Sequence, residues 1–277
     1  MTTAADVASH YSNGGLQAAI ESGLAALGKT LSSASIADLA PVDEFHIGGR
    51  EATIDICEQL HVQPGSAVLD VGCGIGGTAR FISGTFGCEV TGIDLTAEYV
   101  EVARSISKAT HIADQLTFET GNALDMPFVD SAFDIATQLH VGMNIDDKAA
   151  LFAEVYRVVR PGGRFGVYDI MRLTDGSHAF PVPWASDETM SFVASLSDYE
   201  AALKSAGFRI LASRERGQFA RDFFAALKQH AAQTDGPSPI GLHLILGNDA
   251  PTKIANMVAA VTAGTLAPTE IVCERLA

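Results

Sequence analysis

Two carboxylates and a run of glycines are the residues whose spacing most directly implies chemistry. Ala67-Val68-Leu69-Asp70-Val71 is a short apolar run carrying one acid, and Gly72-Cys73-Gly74-Ile75-Gly76-Gly77 follows it, with a helix predicted from about Thr78. Glycines at 72 and 74 can take φ > 0 and let a ligand approach bare backbone, which side-chain-bearing residues do only at a cost. The spacing Gly72-x-Gly74-x-x-Gly77 also satisfies the dinucleotide fingerprint, so the glycines alone leave the ligand open. Asp70 narrows the choice. A pyrophosphate on helix N-terminal N–H groups is repelled by a carboxylate in the same turn, whereas an ammonium is attracted to it. A second apolar run, Cys88 to Ile93, ends in Asp94, placed to accept hydrogen bonds from both hydroxyls of a ribose at a switch point of the sheet. Together the acids point to an adenosyl ligand that carries an amino acid.

Six further positions could act on a second molecule. Phe133–His140 reads as a strand whose carboxyl end faces the same crevice, so Gln138, His140 and Asn144 fall near the reacting centre. His140 is a candidate general base for a hydroxyl or carbon nucleophile, or else a buried histidine satisfied by backbone. His46, between Phe45 and Ile47, is either a ligand contact or a packed, hydrogen-bonded residue. Tyr11 is a candidate pocket contact or a surface tyrosine. Trp184, the only tryptophan, sits in Phe180-Pro181-Val182-Pro183-Trp184-Ala185; such a stiff loop can hold an apolar or cationic group against the ring, or plug the sheet.

These residues need a scaffold, and the pattern supplies one. Leu16, Ile20, Leu24, Leu27 and Leu31 recur at helical spacing, broken at Gly28. A further helix is predicted up to about Leu60. Beyond the glycine turn, helix and strand alternate: a helix over Ala97–Ser107, a strand over Leu116–Glu119, a helix over Asp146–Val159, a turn at Arg160–Arg164 and a strand over Phe165–Ile170. Such alternation implies parallel strands joined by right-handed crossovers. A helix over Ser197–Ala206 and a strand over Phe208–Ser213 come next. Residues 217–263 turn helical before a last strand at Glu270–Leu276, and a connection of that length is expected to be a lid rather than a linker. The expected organisation is a helical cap over 1–60, a core over 61–216, a helical lid over 217–263 and the final core strand in 264–277.

VLDVGCGIGG, followed in order by GID, FDIATQLH and VYRVVRPGGRFGVYD across residues 66–170, resembles class I S-adenosyl-L-methionine-dependent methyltransferases. The resemblance implies an α/β, Rossmann-like sheet, mostly parallel with the last strand antiparallel. It implies S-adenosyl-L-methionine as cofactor, held by Asp70, Gly72, Gly74, Asp94, Leu95, Asn122, Ala123 and Gln138, with Asn122 meeting the adenine amino group. It also implies that the N-terminal segment closes over the pocket, which makes Tyr11 a candidate acceptor contact beside His46 and Trp184; by their place past the strand end, His140 and Asn144 are the candidate catalytic residues. DEFHIGG, HVGMN and the lid resemble bacterial enzymes of the sarcosine/dimethylglycine N-methyltransferase type, which implies an amine acceptor; O- or C-methylation of an apolar metabolite is the alternative. A nicotinamide oxidoreductase fits the glycines but leaves Asp70 unexplained, and a noncatalytic binder of the same cofactor would keep the same motifs.

Composition removes other classes. The 277 residues carry a formal charge of −15, which disfavours nucleic acid, because that binding rests on Lys and Arg displacing counterions. Cys57, Cys73, Cys88 and Cys273 show no metal spacing and are expected to be buried thiols. No run approaches the roughly eighteen apolar residues of a membrane helix, and the N-terminus lacks a signal-peptide pattern. The expectation is a cytoplasmic protein acting on a small molecule, with no metal, no membrane partner and a homodimer left open.

Overall fold

The computed structural model describes residues 4–11, 14–233 and 238–276. Ahead of the sheet lie α1 (Ala4–Tyr11), α2 (Leu16–Ala26), α3 (Ile36–Asp43) and α4 (Gly49–Leu60). The helical spacing holds for Leu16, Ile20 and Leu24 of α2, which pack with Leu39 and Val42 of α3; the helix ends at Ala26, so Leu27 is exposed at its C-cap and Leu31 belongs to a separate turn. Ser35 caps α3 reciprocally with Asp38, satisfying N–H groups that the first turn would otherwise leave open.

The core then runs β1 (Ala67–Val71), α5 (Gly77–Phe86), β2 (Glu89–Asp94), α6 (Ala97–Ala109), β3 (Leu116–Thr120), β4 (Phe133–Leu139), α7 (Lys148–Val158), β5 (Val159–Arg172), α8 (Leu196–Ala206) and β6 (Phe208–Glu215). After it come α9 (Gly217–Ala231), α10 (His243–Leu246), α11 (Ala250–Ala263) and β7 (Leu266–Arg275). The strands form one sheet of order β3-β2-β1-β4-β5-β7-β6. β3, β2, β1, β4 and β5 are parallel, and β7 is antiparallel to both β5 and β6, the architecture of the class I methyltransferase fold.

Strand alternation decides which side chains can meet. In β1, Val68 enters the core layer under α4 and α5, whereas Leu69 and Val71 enter the layer under α7 and α8. Successive Cβ atoms point to opposite faces, so Asp70 shares the face of Val68. The chain leaves β1 toward β2 on one side and returns to β4 on the other, so the loops beyond β1 and β4 diverge and open a crevice there.

Two predicted boundaries shift. Arg160–Gly163 is not a turn ahead of β5 but an irregularity inside it: Phe133 pairs with Val159, and the next partners are Ile135 and Arg164. Gly162, at φ 78°, supplies the left-handed residue that the detour requires. The last strand begins at Leu266 rather than Glu270, because Pro268 reads as a strand breaker in sequence. Here its carbonyl accepts the Arg216 N–H instead. All four cysteines are buried and free, and no helix among the described residues is long and apolar enough to cross a membrane.

Candidate functional site

Two cavities open beyond the C-terminal edge of the sheet. The first, about 300 Å³, is walled by the loops that leave β1, β2, β3 and β4, with Val7 and Tyr11 of α1 across it. The second, about 470 Å³, lies between α3, the 180–185 loop and the helices that precede β7. Tyr11, Phe45, His46 and His140 line both.

The backbone makes the floor of the first cavity. Gly72 has φ 69°, and a Cβ there would lie 2.4 Å from Val141 Cγ2; Gly74 has φ 53°, and a Cβ there would meet nothing within 4 Å. Position 72 must therefore be glycine for packing, while position 74 is bare on its cavity side. Gly77 has a third reason, since its Cβ would lie 2.4 Å from the Asp43 carbonyl, which lets α3 abut the start of α5.

Asp70 and Asp94 line this cavity in different states. Thr137, its partner across β1 and β4, donates to Asp70 Oδ1 at 2.9 Å, while Oδ2 is buried without any hydrogen-bond partner. Burial pushes the Asp70 carboxyl up to about 7. A buried acceptor without a donor is costly, and an ammonium group would satisfy it. Asp94 is pinned by the Gly74 N–H on Oδ2 at 2.9 Å and the Thr96 N–H on Oδ1 at 2.8 Å. Burial raises its pKa while those N–H groups oppose the rise. Each oxygen keeps a further lone pair, so a ribose diol remains a fitting partner. Leu95, Asn122 and Ala123 line the same cavity. Asn122 Oδ1 accepts the Leu124 N–H at 3.0 Å, which shapes the turn after β3.

Gln138 is a correction. It pairs with Val71 and Val167, so alternation points it to the α7–α8 face, away from Asp70 and Thr137. It lines neither cavity and donates to Asp169 Oδ2 at 2.7 Å. Asp169 in turn accepts from the Val141 and Gly142 N–H groups and from the Tyr199 hydroxyl. This buried clamp holds the turn that carries His140 and Asn144. Sequence reading missed it, although an acid and an amide in the apolar interiors of two strands were its signal.

Asn144 lines the first cavity. Its Oδ1 accepts the Tyr11 hydroxyl at 3.0 Å, and its amide donates to the Val141 carbonyl at 3.2 Å. Asn144 thus ties α1 down over the site. His140 has φ 56°, a left-handed conformation uncommon for a residue with Cβ. Its N–H donates to the Tyr168 carbonyl at 2.7 Å, and its ring lies 5.3 Å from that of Tyr168. Nε2 of His140 is sealed without a partner, and burial, then neighbouring His46, holds its pKa well below the usual value.

The second cavity is mostly apolar. Met143, Trp184, Phe223, Phe224, Leu242 and Met257 line it, with the Trp184 indole N–H bonded to Ser191 Oγ at 2.9 Å. Among the described residues its ionisable lining is Tyr11, Glu44, His46, His140 and His243, with neither Lys nor Arg. Glu44, unremarked in the sequence, is buried and takes the Thr53 hydroxyl at 2.7 Å and the Arg50 Nε–H.

Residues 68–163 match the family model described as a methyltransferase domain. An O-methyltransferase of Pyrenophora dematioidea is 28% identical over 71% of this chain and 74% of its own length. Among solved structures, a putative sarcosine dimethylglycine methyltransferase from Galdieria sulphuraria superposes with a TM-score of 0.66 at 20% identity, covering 82% of this chain and 85% of that one. A geranyl diphosphate C-methyltransferase from Streptomyces coelicolor A3(2), solved with S-adenosyl-L-homocysteine, gives 0.65 at 19% identity over 81% and 78% of the two chains. At those identities the structural likeness establishes the fold.

Proposed function

Taking as premise that the chain belongs, through residues 68–163, with the S-adenosyl-L-methionine-dependent methyltransferases, we propose that it methylates an apolar small molecule held in the second cavity. The observation that carries this reading is the meeting of the two cavities at Tyr11, Phe45, His46 and His140.

The residues present fit the cofactor. Asp70 Oδ2, buried and unpartnered, would take its ammonium group; Asp94 would take the ribose hydroxyls; Gly72 and Gly74 would pass the backbone beneath it. Leu95, Asn122 and Ala123 would enclose the adenine. S-adenosyl-L-methionine supplies an electrophilic methyl on a sulfonium, so the chain's work is alignment and exclusion of water. Tyr11, tied to Asn144, closes the first cavity. Trp184 and residues of α9, α10 and α11 line the second, which supports reading those helices as a lid over the acceptor.

An acceptor of the sarcosine type fits this cavity poorly, because among the described residues its lining holds no Lys or Arg to pair with a substrate carboxylate. A neutral, apolar acceptor suits the aromatic and methionine wall. The test is calorimetry with S-adenosyl-L-homocysteine, followed by screening apolar alcohols, phenols and amines for S-adenosyl-L-homocysteine formed from S-adenosyl-L-methionine. Binding of NAD in place of the adenosyl ligand would replace this reading with an oxidoreductase.

A further inference from the structure

The two imidazoles at the junction, with ring centres 6.0 Å apart, differ in their wiring. His46 Nε2 lies 3.1 Å from the Gly49 carbonyl, 3.0 Å from Thr53 Oγ1 and 3.4 Å from Glu44 Oε2. The carbonyl and the carboxylate can only accept. The Thr53 hydroxyl gives its proton to Glu44 Oε2 at 2.7 Å, so it too offers His46 a lone pair. Each of these neighbours of Nε2 is an acceptor, which assigns the hydrogen to Nε2 and leaves Nδ1 bare. Among the described residues no group bonds to Nδ1, and unlike His140 Nε2 it is not sealed off. His46 lines both cavities. His140, by contrast, has no carboxylate behind it.

We propose that Glu44 and His46 form a carboxylate–imidazole pair whose bare Nδ1 accepts the proton of a hydroxyl group on the apolar acceptor, so that the site methylates oxygen. This rests on the reading above and names its acceptor class. In the step, the hydroxyl proton passes to His46 Nδ1 and the oxygen forms its bond to the methyl carbon. The carbon–sulfur bond opens with its electron pair going to sulfur, leaving neutral S-adenosyl-L-homocysteine. The imidazolium that results shares its Nε2–H with the Glu44 side, where the carboxylate balances the charge, and its extra proton then leaves to water. Overall one proton is released per methyl transferred. An amine that arrives neutral needs no such base, and the pair would be idle. His140 becomes a wall of the junction, neutral and aligned by Tyr168.

The groups facing His46 are Glu44, Arg50, His140 and Tyr168. Burial first, and then Arg50, hold the His46 pKa below its usual value, while Glu44 and the Gly49 carbonyl oppose that, so Glu44→Gln is the informative change.

The probes are 4-nitro-1-naphthol, whose anion is coloured, and its methyl ether, each titrated into protein loaded with S-adenosyl-L-homocysteine. In the wild type the naphthol is expected to bind about tenfold more tightly than the ether and to ionise at a lower pH than it does free. His46→Phe should erase both differences while the ether and S-adenosyl-L-homocysteine still bind. Glu44→Gln should keep the preference for naphthol and lose the ionisation shift, and His140→Phe should keep both. Nitrogen NMR of the wild-type imidazoles, which needs no variant, should show His46 as the Nε2–H form with its Nδ1 signal moved by the naphthol. The proposal is overturned by the Nδ1–H form, by equal binding of the two probes, by binding of neither, or by a preference that survives His46→Phe and is lost in His140→Phe. Failure of S-adenosyl-L-homocysteine to bind at all would instead bring down the cofactor reading and this inference with it.

Discussion

The two cavities are built from different materials. The first is made by backbone turns at the edge of the sheet, from short contiguous segments whose geometry is fixed by parallel pairing. The second is made by side chains brought from α3, the loop around Trp184 and the helices between β6 and β7. A site of the first kind tolerates almost nothing at its few backbone positions; one of the second kind can change its lining and thereby its acceptor while the fold stands. The difference suggests that cofactor and acceptor binding can be broken separately, although one clamp serves both.

The largest separate effect should come from Asp94→Ala. Loss of hydrogen bonds to a charged group, worth about 1.5–3 kcal/mol, should weaken S-adenosyl-L-homocysteine by about 10- to 150-fold in calorimetry, with probe binding in the second cavity little changed and Tm lowered because the Gly74 and Thr96 N–H groups lose their acceptor. Equal affinity in the variant would remove Asp94 from the site. The shared clamp is tested by Gly142→Ala: a Cβ there would lie 2.3 Å from the Tyr199 hydroxyl and 2.4 Å from Asp169 Oδ2. Overpacking of this kind costs about 1–3 kcal/mol, read as a lower Tm, and both ligands should weaken together.

On the acceptor side, Phe224→Ala removes part of an aromatic wall and should weaken 4-nitro-1-naphthol by about 5- to 30-fold, with S-adenosyl-L-homocysteine affinity unchanged. A matching loss of cofactor affinity would merge the two sites into one. The smallest effect is a pH dependence. With its folded pKa pushed up to about 7, Asp70 is ionised above that value and protonated below it, and only the carboxylate pairs with an ammonium. Cofactor affinity should therefore be full near pH 8 and fall by about tenfold toward pH 6. Asp70→Asn should bind weakly and flatten that profile; a profile unchanged in the variant would assign the titration elsewhere.

What the sequence made legible follows the same division. Asp70, Gly72, Gly74 and Asp94 could be placed because each sits at a fixed offset from a strand end, and the glycines and acids are rare enough there to mark a turn. Gln138 was misplaced by one residue's worth of alternation: it lies beside Thr137, which does face Asp70, and a shift of one flips the side chain to the other face. Glu44 and the aromatic residues of α9 were not legible as a site, since which helix faces meet depends on how the segments before and after the core pack. The Asp169 clamp was hidden for a related reason: its partners lie about thirty residues away in β4 and α8, and only the strand register brings them together.

The methyl donor is expected in the first cavity with its sulfur at the junction. A crystal structure with S-adenosyl-L-homocysteine tests it most directly. The expected result is the ribose on Asp94, the ammonium group on Asp70 Oδ2 and the sulfur facing the opening bounded by Tyr11, Phe45, His46 and His140. A ligand lying in the second cavity, or in the first with its sulfur turned away from that opening, would contradict it.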